Sequence, residues 1–249
     1  MQDLALLAAA AFAAGIVNTI AGGGTFLTFP ALVWTGVPPV AANATSAVAV
    51  FPGYAGGALG FRRELALQGK ERLVRLTAVT LAGGLAGSLL LLVSSDAAFA
   101  AVVPFLLLGA TLAFLFGDRI RAFAAARARA VRPEGPVGLL LVAVYGGYFN
   151  GGLGIVLLAL MSLWGWRDIH AMNAVKNGLS FALSAISVAT FAAAGIVEWP
   201  QAAVMMLAAT AGGYAGAPVA RAVPAAWVRG FVALVGFSMS AVFFWRLLA

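Results

Sequence analysis

The sequence predicts an all-α, polytopic membrane protein, on the evidence of its composition, the length of its apolar runs and the position of its charges. Of its 249 residues, 63% are hydrophobic and 9% are charged, whereas soluble domains carry roughly 25% charged residues. A soluble fold of this size would lack the polar side chains to cover its surface. A helix needs roughly 20 apolar residues to cross a bilayer core of about 30 Å, and several runs approach or reach that length.

The apolar runs divide into longer and shorter ones. The longer runs predict spanning helices at 41–60, 76–93, 99–116, 171–194, 201–219 and 230–245. The shorter runs lie within 4–35 and 137–164, and each pair is interrupted by a glycine cluster. A run of 12 helical residues reaches about 18 Å, which is well short of the bilayer core.

An internal repeat relates the two halves of the chain. Asn18 and Asn150 each precede a glycine cluster, and Asn43 and Asn173 are each followed by alanine, in both cases roughly 130 residues apart. Chance matching of small residues in a glycine-rich chain is the alternative. The repeat predicts three segments: a first repeat at 1–117, a basic linker at 118–136 and a second repeat at 137–249.

The distribution of charge predicts the topology. The net charge is +7, and the positive-inside rule explains the basic loops at 62–75 and 117–136 better than nucleic-acid binding does. If residues 137–164 crossed the bilayer once, the later arginines, beginning with Arg167, would lie outside. A hairpin that enters and leaves on one side restores the rule. The same reasoning makes 4–35 a hairpin from the opposite side, so the halves form inverted repeats, an architecture of many secondary transporters.

The two glycine-rich tips, at 22–24 and 151–154, are the predicted place for a ligand. Non-helical backbone at membrane depth is tolerated where it is buried in protein or lines a cavity. Each tip opens a half-helix whose first amides and positive dipole end favour an anion; the alternative is that the glycines only permit tight turns. The predicted substrate-binding residues are Asn18, Thr19, Gly23, Gly24, Thr25, Asn43, Thr45, Ser46, Asn150, Gly152, Gly154, Asn173, Lys176 and Asn177.

Lys176 is the most informative of these residues. It shares a helical stripe with Asn173, Asn177 and Ser180 inside an apolar run. An intramembrane cation is costly and indicates a functional site. The alternative is that Lys176 extends to the cytoplasmic surface, since it lies only about 7–8 Å from the start of the run.

The residue inventory excludes several kinds of chemistry. The chain has no cysteine, which rules out disulfides, thiol relays and thiolate metal sites. No metal site, cofactor or catalytic residue is expected. The histidine, His170, lies beside Asp168 at a predicted helix start, where it caps the helix or faces water. Because the acidic residues lie in loops or at helix ends, the sequence indicates no coupling ion.

Several segments resemble the TauE/SafE family of sulfite and organosulfonate exporters. They are GIVNTIAGGGTFLTFPALVWTGVPPVAANATSAVAVFPG at 15–53, NGGLGIVLLAL at 150–160, AMNAVKNGLSFALS at 171–184 and GGYAGAPVARAVPAAWVRGFVALVG at 212–236. The first hairpin carries Pro30 after its glycines, as in the family pattern, and the second has no matching proline. The resemblance implies a transporter of small sulfur-containing oxyanions.

The leading hypothesis is therefore a carrier that exports sulfite, sulfoacetate or a related organosulfonate across a prokaryotic plasma (inner) membrane. The lipid bilayer and a small anion are the expected partners, nucleic acid is not, and a homodimer is a candidate assembly. A passive anion channel is the second hypothesis, because the same helix dipoles would serve it. An intramembrane hydrolase is the third, with Ser180 as nucleophile, although His170 lies about 15 Å from it along the helix.

Overall fold

The computed structural model describes residues 2–20, 24–127, 134–222 and 225–248. These residues form twelve helices, and none of them lies in a strand. The helices are α1 Gln2–Ile20, α2 Thr25–Trp34, α3 Pro39–Gly60, α4 Arg62–Ala66, α5 Lys70–Val93, α6 Asp96–Leu115, α7 Gly117–Ala126, α8 Pro136–Tyr148, α9 Leu153–Leu163, α10 Ile169–Ala193, α11 Trp199–Ala222 and α12 Ala225–Leu248.

The helix lengths confirm an all-α polytopic membrane protein. Within the described residues, four helices are both long and apolar enough to cross a membrane: α5, α6, α10 and the 230–247 part of α12. α3 has 22 residues and α11 has 24, so each is more than about 30 Å long at ~1.5 Å per residue. The bundle therefore combines spanning helices with several shorter ones.

The second short helix pair, α8 and α9, forms a hairpin with both ends at the same end of the bundle. α8 has 13 residues and α9 has 11, which gives about 20 Å and 17 Å of helix. Just before α8, Glu134 accepts hydrogen bonds from Arg72 and Arg75 at 2.7 and 2.6 Å. Just after α9, Trp166 lies under the Arg72 guanidinium at 4.9 Å. We call the end that carries Arg72 and Arg75 the basic end.

The first short pair, α1 and α2, ends at the opposite end of the bundle. The residues after α2 line a groove together with Ala97 and Ala100 at the start of α6 and Leu247 near the end of α12. Beside this groove, the Asp96 carboxylate accepts a hydrogen bond from Val40 N at 2.9 Å. α1 has 19 residues, so the leading arm of this hairpin is longer than its counterpart α8.

The two halves of the chain are interleaved through glycine contacts. α8 packs against α5, where a Cβ at Gly87 would lie 2.8 Å from Tyr148 N. α1 packs in the same manner against α11, where Gly15 lies against the backbone of Ala209 and Gly213. Each leading arm therefore packs on a spanning helix of the other half.

The remaining spanning helices also pair across the halves. α3 packs on α10, with the rings of Phe51 and Phe181 stacked at 5.5 Å. α6 packs on α12, where the Ser240 hydroxyl donates to the Pro104 carbonyl oxygen at 2.8 Å. The predicted division at residues 117 and 136 stays a prediction, and all of α7 except its first residue lies within the predicted linker.

A cluster of buried aromatic rings connects the two hairpins. Phe29 of α2 is fully buried, and its ring lies 6.2 Å from Phe99, 5.9 Å from Phe149 and 6.0 Å from Phe243. T-shaped and stacked ring pairs at such separations stabilise a core beyond the area they bury. Since Phe149 directly precedes the second glycine-rich tip, this cluster sets the position of one hairpin relative to the other.

Candidate functional site

The second glycine-rich tip has a backbone that only a few residue types adopt. Asn150 and Gly152 have φ angles of 63° and 72°, in the left-handed region where asparagine and glycine are tolerated best. α9 then begins at Leu153 with Gly152 as its N-cap. The predicted residues Asn150, Gly152 and Gly154 thus lie at the start of a half-helix, where Leu153 N and Ile155 N donate to the carbonyl oxygens of Asn150 and Gly152 at 3.4 and 3.0 Å.

An asparagine side chain also contacts the backbone of the first tip. The Asn18 side-chain oxygen accepts a hydrogen bond from Gly24 N at 2.9 Å, and α2 begins at the next residue, Thr25. Gly23 lies outside the described residues, as does the side-chain placement of Thr19. Asn18 therefore stabilises the turn that leads into the half-helix.

Tyr54 of α3 bridges the two tips, and the sequence analysis did not single it out. Its hydroxyl lies near the side chains of Asn150 and Thr25. These residues belong to opposite hairpins, so a single polar side chain connects both predicted binding elements. The one signal in the sequence was a tyrosine in a glycine-rich apolar run, because a buried tyrosine hydroxyl usually has a partner.

The same stretch of α3 presents glycines to two polar side chains. A Cβ at Gly53 would lie 3.7 Å from Asn18 Nδ2, and one at Gly57 would lie 3.5 Å from the Asn177 side chain. Asn18 and Asn177 therefore both lie close to α3, at positions on either side of Tyr54 along the helix. Asn177, which the stripe on α10 predicts, thereby joins Asn18, Thr25, Tyr54 and Asn150 in a group of polar residues between the tips, which we call the cluster.

Lys176 also reaches this region, although its charge is directed away from the tip. Its Cδ lies 3.4 Å from a Cβ position on Gly154, so the aliphatic stem covers the first turn of α9. Its ammonium donates to Asn173 Oδ1 at 3.2 Å, and Asn173 lies one turn closer to the basic end. The structure thus combines both alternatives for Lys176: contact with the tip and extension toward the surface.

Three predicted residues of α3 have their polar atoms engaged elsewhere. The Asn43 side chain donates to the Tyr148 carbonyl oxygen at 2.9 Å, and Thr45 Oγ1 accepts from Glu198 N at 3.0 Å. Ser46 shares a hydrogen bond of 2.6 Å with a buried threonine of α2. These contacts connect α3 to both hairpins and to the loop before α11, and a substrate-binding role for the three residues stays a prediction.

The cluster contains no group suited to metal or hydrolytic chemistry. Within the described ranges, no set of three His, Cys, Asp or Glu side chains is placed to hold a metal ion. Ser180 is buried whereas His170 is exposed at the start of α10, where Asp168 caps its backbone amide at 2.9 Å. The expectation that His170 faces water agrees with this exposure, and a serine–histidine pair is not assembled here.

The sequence as a whole matches a known family. Residues 7–243 match the family described as Sulfite exporter TauE/SafE. The chain belongs to this family.

Curated relatives of this TauE/SafE chain carry transporter names. A probable membrane transporter protein of Haemophilus influenzae is 31% identical over 245 residues, covering 96% of this chain and 93% of the relative. Probable membrane transporter proteins of a Sinorhizobium species and of Escherichia coli are 29% and 27% identical, covering 96% of this chain and 94% and 88% of their own lengths. No solved structure matches the chain. Family and relatives together indicate a multi-pass membrane transporter rather than an enzyme.

Proposed function

We propose that this protein exports a small sulfur-containing anion, such as sulfite or an organosulfonate, across a prokaryotic plasma membrane by alternating access. The observation that carries the proposal is the convergence of two opposed hairpin tips on Tyr54. The family description supports sulfite as the substrate class, and the bacterial relatives support the membrane. With the positive-inside rule, the basic end faces the cytoplasm.

The electrostatics of the cluster favour an anion. α2 and α9 both begin at a tip, so the positive ends of two helix dipoles and their first amides are directed at the same region. The aliphatic stem of Lys176 lies beside Gly154, and its ammonium, which donates to Asn173 Oδ1, adds a formal positive charge on the side of the site nearer the basic end. Asn177 and the Tyr54 hydroxyl add donors that orient an oxyanion. In transporters of this architecture, such half-helix ends hold anionic groups of the substrate.

Contacts at opposite ends of the bundle connect the two halves of the chain. At the basic end, Glu134 holds Arg72 and Arg75 beside the entry of α8. At the other end, Thr45 holds the amide of Glu198, in the loop before α11. Because each hairpin packs on the other half, movement of one half against the other opens one end while closing the other.

Efflux from proteoliposomes tests the proposal. Vesicles that contain the purified protein and labelled sulfite should lose the label in a saturable manner, and unlabelled sulfite on the opposite side should accelerate the loss. Acceleration by counter-substrate is expected of a carrier and is absent in a passive channel. No efflux of sulfite or of any tested sulfonate from folded protein would overturn the proposal.

Lys176→Met provides the site-specific measurement, with Lys70→Met as the matched control. A hydrogen bond from a charged donor contributes about 1.5–3 kcal/mol, so loss of Lys176 should weaken sulfite affinity by roughly tenfold or more. Lys70 lies exposed at the start of α5, and its replacement should leave the affinity unchanged. Equal affinities in the two variants would remove Lys176 from the site.

A further inference from the structure

The side-chain oxygen of Asn150 is a buried acceptor without a partner. Asn150 is 7% exposed, and its Oδ1 has no hydrogen-bond partner among the described residues. An unpaired acceptor in a protein interior is costly and requires an explanation. The side chain lies beside the Tyr54 hydroxyl, so this oxygen belongs to the cluster between the two tips.

The surrounding carbonyl oxygens of the same tip are satisfied. The Tyr148 oxygen accepts from Asn43 at 2.9 Å, and the Gly151 oxygen accepts from the Tyr145 hydroxyl. The backbone oxygens of Asn150 and Gly152 accept from Leu153 N and Ile155 N at 3.4 and 3.0 Å. The unpaired oxygen is therefore a local feature within a tip whose other acceptors are paired.

The left-handed backbone at Asn150 adds to the significance of this oxygen. Glycine adopts a φ of 63° without strain and would leave no buried polar group, so the turn does not require asparagine. The other groups beside Asn150 include hydrogen-bond donors, namely the first amides of α9 and the Tyr54 hydroxyl. Asn150 thus contributes one acceptor to a site that is otherwise suited to a bare anion.

We infer that the site selects anions that carry their own hydrogen-bond donor, such as hydrogensulfite or an aminosulfonate, over anions without one. The inference rests on the proposed function and assigns Asn150 the role of specificity-determining residue. The donors hold the oxygens of the ligand, and Asn150 Oδ1 accepts from its hydroxyl or ammonium group. A donor-free anion such as sulfate leaves the acceptor unpaired inside the protein.

The selectivity has a defined magnitude. A buried acceptor that stays unpaired when the ligand binds costs the free energy of its desolvation. This cost corresponds to roughly tenfold to a hundredfold in affinity. Sites that accept a hydrogen bond from a ligand reject analogues lacking the donor far more strongly than sites that read size alone. Sulfite near neutral pH exists both with and without the proton, so this site would bind the protonated monoanion.

Two probes of equal charge and shape test the inference on the intact protein. The methylphosphonate monoanion, at mildly acidic pH, carries one hydroxyl on a tetrahedral head, and methanesulfonate has the same head without it. Titration calorimetry of the detergent-solubilised protein should give at least tenfold tighter binding of methylphosphonate. Equal dissociation constants would overturn the inference, since they would mean that a bound water or nothing at all satisfies Asn150.

The variant Asn150→Gly removes the acceptor while keeping the backbone conformation accessible. The ratio of the two dissociation constants should fall toward one, mainly through weaker methylphosphonate binding. Thr210→Ala, on the exposed face of α11, is the control and should keep the wild-type ratio. A ratio that stays high in Asn150→Gly overturns the role of Asn150, and if that variant does not fold, the wild-type ratio still decides the inference. Binding of neither probe together with no sulfite efflux would overturn the proposed function instead.

Discussion

Replacing Gly87 by alanine tests the close packing of α8 against α5. A Cβ at this position would lie 2.8 Å from Tyr148 N and 2.9 Å from the Val144 carbonyl carbon, whereas ordinary contact begins at 3.4 Å. These neighbours are backbone atoms, so no side-chain rotation relieves the overlap and the helices must separate. Overpacking of this kind costs about 1–3 kcal/mol, occasionally more, and we expect a loss near the upper end because the contact is backbone to backbone.

The matched control is Gly109→Ala in α6, where an added Cβ meets nothing within 4 Å. Alanine is favoured over glycine in a helix by about 1 kcal/mol, so this variant should be neutral or more stable. Thermal unfolding of both variants in the same detergent, followed by circular dichroism, measures the difference. The midpoint of Gly87→Ala should lie several degrees below that of Gly109→Ala. Equal midpoints, or a higher one for Gly87→Ala, would refute the packing described for α5 and α8.

Further predictions concern the basic end and the tyrosine between the tips. Glu134→Gln removes the charged partner that Arg72 and Arg75 share. Because both arginines are largely exposed, we expect the free energy of unfolding to fall by only about 1 kcal/mol. Denaturation curves should show that this loss of stability is smaller at high salt. Glu71→Gln, at an exposed position, is the control and should leave the free energy of unfolding unchanged. Tyr54→Phe keeps the ring but removes the hydroxyl, and it should weaken sulfite binding by about tenfold in a ligand-induced thermal shift. Tyr214→Phe is its control, since Tyr214 is 90% exposed, and an equal shift in both variants would exclude the Tyr54 hydroxyl from the site.

The second hairpin shows what charge and length determine locally. The run at 137–164 was too short to cross twice and was followed by basic residues, which led to an expected hairpin with both ends at the basic end. The contacts of Glu134 and Trp166 with Arg72 place the two ends of that hairpin together. Such a feature follows from the sequence because the solvation of charge and the length of a helix depend on few other residues.

The polar residues of α3 show the limit of such reasoning. Asn43, Thr45 and Ser46 are polar side chains in an apolar run, which predicts a functional site, and in the structure their polar atoms also connect α3 to other segments. Sequence alone does not separate a side chain that binds a ligand from one that satisfies a carbonyl of a distant segment. Tyr54 was overlooked for the same reason, since its role depends on which face of α3 meets the two tips.

The interleaving of the halves was also not visible in the sequence. Gly83 and Gly212, which lie 129 residues apart (212 − 83), both lie at tight helix contacts, Gly83 against α8 and Gly212 against α1. Corresponding positions do not reveal whether a hairpin packs on its own half or on the other one. That choice depends on three-dimensional packing, in which small residues let the backbones approach.

The two tips correspond in sequence, but they are chemically different in the structure. In the first tip, the Asn18 oxygen is used to hold Gly24 N, so this asparagine supports the turn. In the second tip, the Asn150 side-chain oxygen has no hydrogen-bond partner among the residues that the structure describes. If both asparagines served only to form the turns, both oxygens would be engaged in the same way. The asymmetry therefore favours a division of roles, in which the first tip provides a fixed helix end and the second tip recognises the ligand through the Asn150 side chain.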